Sequence, residues 1–140
     1  MKIFISIAFI LLLFSCSSKP EGPVVIISLT SDKKSLQIKG FDAAVINDIA
    51  RDSSSGAWQT LMPVYKMPAD TDLKNLQQVQ PGRYTINNNI VVFTPDTAFA
   101  TPQSYFLRYY DFDKGSTLTD LIKSRSKPGA LHYSDLIFKP

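Results

Sequence analysis

The chain has 140 residues, 44% hydrophobic and 19% charged, with a formal net charge of +3, one cysteine and one histidine. That length bounds it to about one domain, large enough to bury a core without staples; a lone cysteine excludes an internal disulfide. The mild, mostly scattered positive charge argues against nucleic acid as a partner, which would call for clustered Lys and Arg.

Met1-Lys2 supplies a positive start, and Ile3 to Phe14 form an apolar run broken only by Ser6. Twelve residues fall short of the roughly 20 that a membrane-spanning helix needs. A charged start, a short apolar stretch and small residues predict a secretory signal peptide over residues 1–15. Leu13-Phe14-Ser15-Cys16 resembles the lipobox of bacterial lipoproteins, with Phe14 a departure of the kind found in relaxed, Bacteroidota-type boxes. The resemblance implies cleavage before Cys16 and lipid on its thiol, so that a membrane becomes a partner. The alternative is an ordinary secretory protein with a free thiol at Cys16. Ser17, where inner-membrane lipoproteins carry aspartate, implies the outer membrane. Residues 16–23 read as a flexible tether, polar and rich in Pro and Gly; their single acid, Glu21, does not indicate surface display, so the expected location is periplasm-facing. Loss of Lys2 with the signal leaves 14 basic against 12 acidic residues, a formal +2.

Residues 24–140 show short apolar bursts separated by turn chemistry, which predicts a mainly β domain with one or two short helices. Residues 24–29 form a first strand and 35–39 an alternating second one. Asp42 is placed to cap a short helix through Ile49, with Phe41, Val45 and Ile49 spaced at four. A serine loop at 53–56 precedes a strand over 58–65, in which Pro63 suggests an edge or bulge; residues 67–73 read as a loop. Pro81-Gly82 predicts a type II turn. Residues 83–86 and 90–93 flank Asn87-Asn88-Asn89 as the clearest hairpin, because Asn tolerates left-handed geometry. A long aromatic strand follows over 105–112. Thr117 and Asp120 suggest a capping box opening a helix at 118–125, and 131–138 gives the last strand. Six to eight strands at this spacing predict a two-sheet sandwich.

The stretch from Gly82-Arg83-Tyr84 through Ile90-Val91-Val92-Phe93-Thr94-Pro95-Asp96, then Ser104-Tyr105-Phe106-Leu107-Arg108-Tyr109, resembles bacterial Ig-like domains of the SbsA and CopC type. It implies an Ig-like β-sandwich and supplies no active site. Copper binding of the CopC kind does not carry over, since the only histidine is His132 and the mature N-terminus would be an acylated cysteine.

Chemical motifs are sparse. Zinc wants about four His, Cys or acid ligands. Asp111-Phe112-Asp113-Lys114-Gly115 is similar to the start of a calcium loop but lacks the third acid and the closing glutamate. Asp70-Thr71-Asp72 is equally incomplete, and such acids more often bond their own backbone in turns. His132 lies near Ser134 and Asp135, yet on a strand Asp135 points to the opposite face. No metal, cofactor or enzymatic activity is expected.

The aromatic strand offers the remaining feature. Tyr105, Leu107 and Tyr109 share one face; Phe106, Arg108, Tyr110 and Phe112 share the other. One set belongs in the core. If the other is exposed it forms a strip for stacking on sugars or anchoring a protein; otherwise the strand is central and covered on both faces. Trp58 carries the same two readings. Trp58, Tyr105, Tyr109, Tyr110 and Phe112 are thus the candidate binding surface of a non-catalytic envelope module whose partner is an envelope protein. The alternative is a carbohydrate-binding lipoprotein using those rings.

Overall fold

The computed structural model of the chain describes residues 24–51, 56–110 and 133–140. The signal, tether and Cys16, the start of the serine loop, Phe112, the calcium-like loop, the 118–125 helix and His132 lie outside the described residues.

Strands β1 (Ile26–Leu29) and β2 (Leu36–Lys39) form an antiparallel hairpin with Ile26 opposite Lys39. Helix α1 (Ala43–Arg51) starts where expected, the Asp42 carboxylate accepting the Ala44 N–H at 2.8 Å. Phe41 and Val45 pack on the core and Ile46 is buried within it.

The strand expected over 58–65 is a correction. Gly56–Leu61 is a second short helix, α2, and only Val64–Lys66 is strand, β3. Ala57, Trp58, Leu61 and Met62 are all buried, and they recur at helical rather than alternating spacing. Pro63 then ends the helical run.

Part of the loop expected at 67–73 is likewise a 3-10 helix, Thr71–Leu76, capped by Asp70, whose carboxylate accepts the Asp72 N–H at 3.0 Å. This acid pair is turn chemistry.

Strands β4 (Gly82–Asn87) and β5 (Ile90–Pro95) make the expected hairpin. Its loop is only two residues, because Asn87 pairs with Ile90 while Asn88 and Asn89 take φ of 49° and 60°, the positive pair a type I′ turn needs. Strands β6 (Tyr105–Tyr110) and β7 (Tyr133–Phe138) complete the set.

Gly82 does not serve a type II turn; it opens β4 opposite Pro95. A Cβ there would lie 2.4 Å from the Phe93 ring and 2.6 Å from the Thr94 carbonyl oxygen. Phe93 is fully buried and has no room to yield. Gly82→Ala is therefore expected to destabilise the domain by about 2–3 kcal/mol, read as a lower urea midpoint at unchanged slope; a shift under about 0.5 kcal/mol would mean the ring can move.

The strands assemble into two antiparallel sheets, β1-β2-β5-β4 and β3-β6-β7. Lettered A to G in chain order, these read A-B-E-D and C-F-G, the strand order of an immunoglobulin constant-type sandwich. Strand F opens with Tyr105, whose hydroxyl accepts the Ala100 N–H at 2.9 Å, the same bond back into the E–F connection that a tyrosine corner makes.

Leu36, Ile38, Val91 and Phe93 of one sheet face Val64, Leu107 and Tyr109 of the other, with α1 and α2 contributing Ile46, Ala57, Trp58 and Leu61. Phe99 bridges the layers, its ring centroid 6.4 Å from Phe93, 4.9 Å from Tyr105 and 5.2 Å from Phe138. Tyr84 also crosses between layers, donating its hydroxyl to the Met62 carbonyl, and burial pushes its pKa well above the usual phenol range.

Candidate functional site

Alternation along β6 sends Tyr105, Leu107 and Tyr109 inward and Phe106, Arg108 and Tyr110 outward. The register then places Ile137, Asp135 and Tyr133 beside those outward residues on β7, and Tyr65 beside Phe106 on β3. The outer face of the three-stranded sheet therefore carries an aromatic ring set around one guanidinium.

Arg108 is 8% exposed, and a buried cation must be paired and hydrogen-bonded. Its Nε donates to Asp135 Oδ1 at 2.8 Å and its Nη2 to Oδ2 at 3.0 Å, a two-pronged grip whose geometry suits the planar guanidinium. Nη2 also donates to the Asn75 side-chain oxygen at 3.0 Å. The guanidinium lies 4.1 Å above the Tyr133 ring and 5.5 Å from that of Phe106, within cation–π range.

Lys74 adds a second cation, its Nζ 2.8 Å from Asp135 Oδ2 and 4.7 Å over Phe106. Lys74 and Asn75 thus clasp the 3-10 helix to the sheet. Burial alone would raise the Asp135 pKa, but hydrogen bonds and charge from Arg108 and Lys74 outweigh it and hold the carboxyl below its ordinary value. The Asp135 hydrogen bond raises Arg108 in turn, and burial raises Tyr65.

The rim of this cluster is apolar. Leu73, Leu76, Tyr133 and Ile137 are all exposed. From the 3-10 helix Lys74 and Asn75 reach the sheet, while Leu73 and Leu76 are exposed. A single carboxylate, Asp135, thus faces two cations, Arg108 and Lys74.

A separate open cleft of about 460 Å³ lies between the residues after β3 and those before β6, lined by Lys66, Met67, Pro102 and Gln103 among others. The Gln103 amide ties its walls together, donating to the Met67 and Ser104 carbonyls at 2.8 Å each. Among the described residues no group of three or more His, Cys, Asp or Glu side chains is placed to hold a metal.

Three of the candidate rings, Trp58, Tyr105 and Tyr109, are core residues at 6%, 4% and 7% exposure. They offer no strip to a ligand, because Trp58 is buried on α2 and Tyr105 and Tyr109 are buried on the inward side of β6. Tyr110 is half-buried and meets Tyr133 edge-on, centroids 6.1 Å apart and planes at 68°. A sugar ring stacks on coplanar faces, which this pair does not present.

Sequence reasoning missed Lys74, Asn75, Asp135 and Tyr65 as members of the outer face. The available signal was Arg108 in mid-strand among aromatics: once buried, it demands a carboxylate.

No protein family, curated protein or solved structure matches the chain.

Proposed function

We propose that this protein is a lipid-anchored component of a bacterial cell envelope, its β-sandwich serving as a non-catalytic binding or assembly module. The observation that carries the anchor is the sequence from Lys2 through the apolar run to Leu13-Phe14-Ser15-Cys16. The binding role rests on the outer face of β3-β6-β7. Around the buried Arg108 the exposed Tyr133, Leu73, Leu76 and Ile137 supply the aromatic and apolar groups from which protein interfaces are built. The SbsA and CopC likeness is compatible with the same role, and the outer membrane, periplasmic side, is the proposed location.

Metabolic labelling with a clickable palmitate analogue tests the anchor. The expected result is label on the mature chain, with Cys16→Ala unlabelled and lost from the membrane fraction. A cleaved, unlabelled, soluble parent protein would overturn it. Cross-linking in intact cells followed by mass spectrometry tests the module. One dominant envelope protein is expected, its yield reduced by Tyr133→Ser or Leu76→Ser. Equal yield from parent and variants would remove this face from consideration.

A further inference from the structure

Four strands end the two sheets, β1 and β4 in one and β3 and β7 in the other, and the outer backbone groups of an edge strand seek partners. Strands β1 and β7 lie against each other. On β3, Tyr65 forms a bridge with Val79, and the Gln80 N–H donates to the Val64 carbonyl at 2.7 Å. Strand β4 differs. It runs six residues in unbroken register with β5 and contains no lysine, proline or bulge, the devices that usually blunt an edge.

The phase of the β4–β5 ladder shows which groups of β4 face outward. The Asp96 N–H donates to the Pro81 carbonyl at 3.0 Å, one step beyond Gly82 opposite Pro95. Hydrogen bonding alternates along an antiparallel pair, so Arg83, Thr85 and Asn87 bond toward β5, and Gly82, Tyr84 and Ile86 turn their N–H and C=O away from it. The two-residue turn after Asn87 gives the same phase. Among the described residues, none beyond β5 reaches those outward groups with a backbone hydrogen bond. Ile86 stands beside them, 39% exposed.

We propose that β4 pairs antiparallel with β4 of a second copy of this chain, about a twofold axis through Thr85. The partner is argued from the strand's complementarity to its own reverse. In this register Tyr84 lies opposite Ile86 of the second copy, and Ile86 opposite its Tyr84, each pair exchanging both backbone hydrogen bonds. An aromatic thus meets a β-branched residue twice, Thr85 meets Thr85, and Arg83 meets Asn87, all favourable cross-strand pairs with no like charges opposed. Moving the axis to Tyr84 would set Ile86 against Gly82 and forfeit the aromatic contact. The interface is isologous and closed, so pairing stops at two copies. It depends neither on lipid at Cys16 nor on the outer face of β3-β6-β7.

Disulfide trapping in cells expressing the full chain tests the register. Thr85 and its counterpart form a non-hydrogen-bonded pair, with Cα atoms about 4.5 Å apart, within the range a disulfide spans. The two Arg83 positions stand four residues out of register, about 14 Å apart, beyond that range. After oxidation with copper–phenanthroline, Thr85→Cys is expected to give a reducible band of twice the chain mass, several-fold stronger than Arg83→Cys alone. Arg83→Cys combined with Asn87→Cys should restore it. The parent, whose one cysteine is Cys16, gives the background, and mass spectrometry identifies the band.

Adding Ile86→Pro to Thr85→Cys removes an outward N–H without taking a bond from β5, a position where an edge strand tolerates proline. It is expected to reduce the band several-fold with Trp58 emission unchanged; should that variant unfold, the cysteine series decides alone. Equal bands from Thr85→Cys and Arg83→Cys, or a Thr85→Cys adduct with a different protein and no homodimer, overturn the proposal.

Discussion

Truncating Phe93 to alanine is expected to cost about 4 kcal/mol of unfolding free energy. The side chain is fully buried at the centre of β5. Its ring lies 4.8 Å from Tyr84 and 6.4 Å from Phe99, the residue that joins the two layers. Phe-to-Ala changes in cores fall at about 3–5 kcal/mol because the cavity adds to the lost transfer energy.

Collapse of that cavity is opposed on one side by Gly82, which has no side chain to follow the departing ring, and on the other by a sheet held in register from Leu36 to Tyr84. Total stability of such a domain is about 5–15 kcal/mol, so the variant should sit near its unfolding threshold. Urea titration followed by Trp58 emission would measure it. A loss below about 1.5 kcal/mol would show that the layers close over the gap.

The β4–β5 hairpin was legible because its information is local: two β-branched runs and asparagines that tolerate positive φ. The Asp42 cap was legible for the same reason. Helix α2 was not, since six residues are too few for a period to declare itself beside Val64 and Tyr65, and Trp58 favours strands by propensity. Burial decided between them. Gly82 was assigned a turn role from its dipeptide with Pro81, whereas its reason is the Phe93 ring on the next strand. The Arg108 cluster required register, which brings β7 beside β6 only after a 22-residue connection, and no local pattern encodes that pairing. The outer side of β6 is covered by Lys74 and Asn75 of the 3-10 helix and by the Tyr65 and Tyr133 rings, again a property of the assembled fold.

Asp135→Ala is expected to cost about 2–4 kcal/mol at neutral pH, because it strands Arg108, 8% exposed, without its carboxylate. The loss exceeds the net value of the pair. Replacing both partners together, Arg108→Met with Asp135→Leu, should recover most of it, since neither desolvated charge then remains. Lys74→Ala should cost less, about 0.5–1 kcal/mol, because that ammonium is partly solvated at 23% exposure.

The pH dependence follows from the direction of the Asp135 shift. Its folded pKa lies below the ordinary value of 3.8. The stability it confers is therefore complete above the unfolded carboxylate range and is lost as pH falls through the lower folded value. The gap between parent protein and Asp135→Asn should thus be constant from about pH 7 to 5 and narrow only below about pH 4. Asp32 is also lowered, by the Thr30 hydroxyl first, but it titrates alike in both proteins and cancels in the difference. Thermal melts of the pair across that range would measure the gap, and narrowing that began near pH 6 would mean that Asp135 is not held by Arg108 and Lys74.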